Sequence, residues 1–152
     1  MSVRIVPFSP SLAPAFASLN RAWIERLFSI EPADLKVLDY PEGIINMGGQ
    51  IFFAIDEDLP IGTVAAIRVG AGSFELAKMA VSPTHQGRGI GRLLGEAVIE
   101  WAQQRGATKL VLLTNSSLEG AIRLYQRLGF RRCPFPSHTE YARADIYMEL
   151  TL

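Results

Sequence analysis

Cysteine is almost absent: Cys133 is the single one in 152 residues. That excludes an intramolecular disulfide and a cysteine-rich metal site, and it suits a reducing compartment. Histidine is nearly as scarce, at two residues, and no Ser-His-Asp or Cys-His arrangement is apparent. An excess of one charge is also missing. Lys+Arg and Asp+Glu number 15 each, so charge points neither to nucleic acid nor to an anionic membrane. No uncharged apolar run approaches the roughly 20 residues of a membrane span. The first twenty residues hold one basic side chain, Arg4, and three prolines, unlike a signal peptide. Repeats, linkers and low-complexity tracts are absent too. The expectation is a soluble, cytoplasmic protein.

What is present is a globular composition, 49% hydrophobic and 20% charged, long enough for one domain over 1–152 with a sizeable core. Residues 3–8 alternate as a short strand. Ser11 is placed to cap a helix reaching residue 28, with Leu12, Phe16, Leu19, Trp23 and Leu27 as its apolar stripe. Residues 32–38 and 41–46 read as shorter helical pieces, and 50–55, 61–69 and 73–81 as strands joined by tight turns. The organisation then changes. Ile90, Leu93, Leu94, Ala97, Val98 and Trp101 form one helical stripe that ends near Gly106. Residues 109–114 are an unbroken apolar run, as expected of a strand covered on both faces. Ser116 and Glu119 have capping-box spacing for a helix through Leu128. Residues 130–133 and 145–152 are candidate final strands around a loop at 134–141. The pattern predicts an α/β fold with a mixed sheet, antiparallel first and then a βαβ unit.

The turn inside that unit, Ser82-Pro-Thr-His-Gln-Gly-Arg-Gly-Ile-Gly91, joins a strand to a helix N-terminus, a place suited to an anion. Two nucleotide folds fail on it. A dinucleotide fingerprint needs a third glycine where Arg92 stands, and no acidic residue occupies 108–114 for a ribose. A P-loop needs Gly-Lys-Ser/Thr, and the chain reads Gly91-Arg-Leu.

Gln86-Gly-Arg-Gly-Ile-Gly91 does match the Q/R-x-x-G-x-G/A signature of the GNAT superfamily of acyl-CoA-dependent N-acyltransferases. The resemblance extends through Glu75-Leu-Ala-Lys-Met-Ala-Val-Ser-Pro before the turn. It continues through Thr114-Asn-Ser-Ser and Ala121-Ile-Arg-Leu-Tyr-Gln-Arg-Leu-Gly-Phe130 after it. It implies a centrally splayed sheet of six to seven strands flanked by about four helices. It also implies acetyl-CoA, or a close acyl-CoA, as co-substrate. The pyrophosphate would lie on the N–H groups of Gln86, Gly87, Arg88, Gly89, Ile90 and Gly91. The pantetheine arm would run beside Met79, Ala80 and Val81, with Asn115 near it. No metal is implied, and pairing as a homodimer is an expectation by analogy with relatives.

Acyl transfer to an amine requires loss of a proton from an ammonium of pKa about 10.4, a donor for the oxyanion and an acid for the thiolate. Tyr125 matches the family's tyrosine near the thioester sulfur and is the candidate acid; alternatively it packs with Leu118 and Ala121. Glu75 is the candidate base, directly or through water. Strand alternation puts it on one face with Ala77, Met79 and Val81, and the alternative is a solvent-facing strand-end carboxylate. His85 and His138 are weaker candidates. The backbone N–H of Met79 is the expected oxyanion donor. Asn115 could instead close an Asx-turn, Arg88 could be a solvated arginine, and Cys133 reads as a buried structural thiol.

For the acceptor, a small amine, amino-acid-like compound or peptide amine, the resemblance points to Trp23, Phe28, Tyr40, His138, Tyr141 and Arg143. Arg143 is able to hold a carboxylate bidentately; alternatively it is solvated and Trp23 belongs to the core. The reading is an N-acetyltransferase, with a non-catalytic acyl-CoA-binding or sensing module as the alternative.

Overall fold

A computed structural model describes residues 2–137 and 139–152, so His138 lies outside the described residues. Strand β1 (Val3–Pro7) leads into three helices, α1 (Ala13–Leu27), α2 (Pro32–Leu38) and α3 (Glu42–Asn46). Strands β2 (Gln50–Asp56), β3 (Leu59–Gly70) and β4 (Ser73–Val81) follow as an antiparallel meander. Next come α4 (Ile90–Gln104), β5 (Lys109–Thr114), α5 (Glu119–Leu128), β6 (Arg131–Cys133) and β7 (Ile146–Thr151). The seven strands lie in the order β1-β2-β3-β4-β5-β7-β6. β4 and β5 are the parallel pair joined through α4. The sheet is thus mixed and, among the described residues, has seven strands flanked by five α-helices, in line with the six to seven strands and about four helices expected.

The parallel pairing is short: only Ser73, Phe74 and Glu75 meet Lys109, Leu110 and Val111. Beyond Glu75 the two strands part. The cause is visible in β4, where the register against β3 moves from Ala65↔Ala77 to Thr63↔Ala80. One extra residue has entered β4, a bulge that bends and twists its strand. Lys78 sits there in the left-handed region, at φ 55°, a conformation a non-glycine residue holds at some cost.

That bulge overturns one sequence inference. Glu75 pairs with Ile67, which packs on the cluster under α1, but Val81 pairs with Gly62, which faces Leu94 and Ile90 of α4. Strict alternation would have placed Glu75 and Val81 on one face; the inserted residue puts them on opposite faces.

The core is divided by the sheet. Phe74, Leu76, Leu94, Val98, Leu110 and Met148 pack on the α4 side, and Phe16, Leu38, Ile51 and Phe53 on the side of α1 to α3. Helix α1 departs from its expected stripe. Its buried face is Phe16, Asn20 and Ile24, while Leu27 is 51% exposed. Asn20 tolerates burial because its amide donates to the Phe16 carbonyl at 3.0 Å and its oxygen accepts from the Trp23 indole at 3.2 Å. Ser11 caps nothing; it lies in a 3₁₀ turn, Pro10–Leu12, that feeds the helix. Strand β5 is buried on one face only, with Lys109, Val111 and Leu113 half-covered. The Ser116 capping box does not form either. Asp145 takes the Ser116 N–H and hydroxyl, both at 2.8 Å, and α5 starts at Glu119. Among the described residues, no helix is long and apolar enough to cross a membrane.

Candidate functional site

Where β4 and β5 part, a cleft of about 950 Å³ opens. Three parts of the chain build it: the glycine turn at one end, the strand edges in the middle, and the end of α1 with the loop before β7 at the other.

At the turn, Gly87 and Gly89 have φ of 77° and 78°, a region that favours glycine. A Cβ on either would meet no heavy atom within 4 Å, so the space beside them is open. Gly89 precedes the first residue of α4, and no described side chain caps that helix. Its first N–H groups therefore lack an intrahelical partner and carry the positive end of the dipole. Gly91 serves packing instead, since a Cβ there would lie 3.0 Å from Leu124; its absence lets α4 and α5 approach. Gln86 donates its side-chain amide to the Val81 carbonyl at 3.2 Å. Arg88 is exposed and does not line the cleft, whereas Arg92 does. His85 borders the cleft but bonds Thr84 at 2.9 Å and Asp56 at 3.3 Å.

Along the strand edge, the Ser82 N–H donates to Ile61 at 2.7 Å. Backbone groups alternate along a strand, so those of Val81 and Met79 face away from β3, toward the gap; the Val81 carbonyl accepts from Gln86 there. Opposite, Tyr125 packs edge-on to Phe130 and its hydroxyl has no hydrogen-bond partner among the described residues. Burial pushes this phenol up to about 12. Asn115 lines the cleft with its oxygen spent on the Ser117 N–H (2.8 Å) and hydroxyl (2.6 Å), and one amide hydrogen spent on the Arg143 carbonyl (2.7 Å). That is the Asx-turn, with one amide hydrogen left for a ligand.

The third part contains what the sequence did not disclose. Asp34 of α2 is fully buried and accepts Lys78 Nζ at 2.8 Å and both Arg143 terminal nitrogens, at 2.8 and 2.6 Å. Glu31 takes Arg143 at 3.2 Å and the Ala142 N–H at 2.8 Å. Lys78 also donates to the Tyr141 hydroxyl at 2.9 Å. Burial raises the Asp34 carboxyl, but hydrogen bonds from Arg143 and Lys78 outweigh it and hold Asp34 well below the carboxylate range. Burial lowers the Lys78 ammonium, with Asp34 opposing.

Arg143 is therefore not available as a carboxylate clamp: its planar fork is already closed on Asp34. Nor is it solvated, since only 12% of its side chain is exposed. Trp23 and Phe28 meet edge-to-face at 6.2 Å on the cleft wall, so Trp23 is half-buried there rather than in the core. Tyr141 lines the same wall; Tyr40 does not. Glu75 lines the cleft and makes no ion pair or hydrogen bond among the described residues. Burial raises its carboxyl, Lys78 partly offsets that, and Glu140 adds to it. Cys133 is half-buried, not buried, and stands outside the cleft. Among the described residues, no group of three or more His, Cys, Asp or Glu is placed to hold a metal. A lysine inside an apolar strand was the one signal that could have pointed to the Asp34 network.

The model of the Acetyltransferase (GNAT) family matches residues 14–130. Rat N-acetyltransferase family 8 member 2 is 33% identical over 105 residues, which is 66% of this chain and 46% of that protein. The chain thus spans about half the length of this curated relative. An acetyltransferase of the GNAT family from Staphylococcus aureus Mu50 superposes with a TM-score of 0.89 at 22% identity, over 99% of each chain. YncA from Salmonella typhimurium, a structure with its cofactor acetyl-CoA, superposes with a TM-score of 0.77 at 22% identity, over 99% of this chain and 94% of that one.

Proposed function

The chain belongs to the acetyltransferase (GNAT) family, a family of acyltransferase enzymes, and we propose that residues 1–152 act as one domain moving an acetyl group from acetyl-CoA to a primary amine. The observation that carries this reading is a cleft in which an open left-handed glycine turn, the free edge of β4 and a tyrosine hydroxyl without a hydrogen-bond partner among the described residues meet.

The residues fit acetyl-CoA. The space beside Gly87 and Gly89 is open, and the N–H groups from Gln86 to Gly91 would supply a pyrophosphate with donors. The outward backbone of Met79 and Val81, with Ala80 between them, offers a strand edge to the amide-bearing pantetheine arm. Asn115 has one N–H to add. When bound, the co-substrate supplies the thioester carbonyl. Arg88, exposed on the turn, is kept as a phosphate contact on its position alone.

The remaining chemistry belongs to the chain. Glu75, its carboxyl raised by burial, accepts the proton that the acceptor ammonium must lose, directly or through water. The Met79 N–H donates to the developing oxyanion. Tyr125, protonated throughout the physiological range, donates to the departing sulfur. With no triad apparent in the chain, the amine attacks the thioester directly. The single cysteine supports a reducing, cytoplasmic setting, and pairing as a homodimer rests on analogy.

Thiol release from acetyl-CoA, followed with and without a panel of amines, tests the reading. Amine-dependent release is expected. Tight acetyl-CoA binding without amine-stimulated release would instead identify a binding or sensing module.

A further inference from the structure

The acceptor end of the cleft carries information about its amine, provided the transferase reading above holds. The deep cations there are already saturated. Lys78 and Arg143 both close on Asp34, and Arg143 also holds Glu31. With Glu75, the interior of the lobe sets two cations, Lys78 and Arg143, against three carboxylates, Glu31, Asp34 and Glu75, while Glu140 stands exposed outside it. A carboxylate on the carbon next to the acceptor nitrogen would have to sit beside Glu75 with both deep cations already taken, an uncompensated charge in a partly desolvated site. Arg26 lies on the rim, exposed, where water screens it.

The carboxylates are equally committed. Glu31 and Asp34 are bonded to Arg143 and to backbone N–H groups. Glu140 is exposed and does not line the cleft, so Glu75 alone is left within the cleft for an ammonium and a second amino group finds no second partner inside it. The rest of the wall is apolar: the Trp23–Phe28 edge-to-face pair, Leu27 and the Tyr141 ring. Leu27 is 51% exposed in the free protein, surface that an apolar occupant would cover.

We propose that the acceptor is a monoamine whose body is aromatic or bulky and apolar, an arylalkylamine without a carboxylate beside the nitrogen, seated with its amine toward Glu75 and its ring against Trp23 and Phe28. Neither polyamines nor α-amino acids fit this lobe.

The test compares kcat/KM for 2-phenylethylamine, phenylalanine, spermidine and methylamine in the thiol-release assay. Phenylethylamine is expected to exceed each of the other three by about tenfold or more, the scale set by burying an aromatic ring or leaving a charge unpaired. Trp23→Ala and Phe28→Ala are each expected to shrink the phenylethylamine-to-methylamine ratio by about tenfold. The ratio is taken within one variant, so partial unfolding cancels from it. Phenylalanine or spermidine matching phenylethylamine, or a ratio that survives both substitutions, overturns the inference while leaving the transferase reading intact. Silence with every amine overturns the transferase reading itself.

Discussion

Tyr125 keeps its proton because its ring is sealed between Phe130 and the rest of the α4-side core, while its oxygen meets no partner among the described residues. A phenol pushed up to about 12 holds its proton at neutral pH, so it stays available as a hydrogen-bond donor to a departing thiolate, while burial makes it a weaker acid than a free tyrosine. Tyr125→Phe preserves the packing and removes the donor. It is expected to lower kcat severalfold or more with acetyl-CoA affinity little changed, read from steady-state kinetics and from direct binding of the co-substrate. Equal kcat would reduce Tyr125 to a packing residue. Lys78 presents the opposite case, a charge buried for structure. Replacing it with Met strips one partner from Asp34 but leaves Arg143 in place, so the expected loss is roughly 3 kcal/mol, the low end for a broken buried pair. Urea unfolding measures it.

The glycine turn and the β4 bulge do complementary work as elements. The turn depends on two left-handed glycines and the bulge on one left-handed lysine, so backbone conformation sets both walls of the cleft. Gly89→Ala adds a Cβ at φ 78° into open space that the transferase reading gives to phosphate. About 1–2 kcal/mol of backbone strain is expected, and KM for acetyl-CoA should rise by about tenfold or more, since the methyl and the phosphate compete for one volume. An unchanged KM would move the pyrophosphate elsewhere. The bulge is anchored from outside its own strand: Asp34 of α2 and Tyr141 of the loop before β7 both hold Lys78.

For the whole molecule, that network ties three distant segments together, and it titrates. The folded Asp34 carboxyl lies below its unfolded value of about 3.9. Its contribution is therefore fully present above that value and is lost as pH falls toward the folded one. Unfolding free energy is expected to drop as pH falls from about 5 to about 2, and Asp34→Asn should flatten part of the drop while starting from lower stability. Denaturant titrations of both proteins across that range decide it. Parallel curves would show that other carboxylates govern acid unfolding.

Local rules were enough for much of this protein. Period-two runs marked β4, the 90–101 stripe marked α4, and the glycine spacing with its flanking motifs marked the family, because each depends on neighbours within one turn or strand. Failures occurred where a distant partner changed the local rule. Asn20 entered the core because Phe16 and Trp23 satisfied it, displacing the expected stripe of α1. The α5 cap was lost because Asp145 reached back to Ser116. Arg143 looked like a substrate clamp until Asp34, 109 residues away, closed on it. Thus the sequence by itself determined most of the elements, the family and the glycine turn at one end of the cleft. Tertiary structure alone decided the other end, around Asp34, Lys78 and Arg143, since which charges are neutralised there depends on contacts that no spacing along the chain encodes.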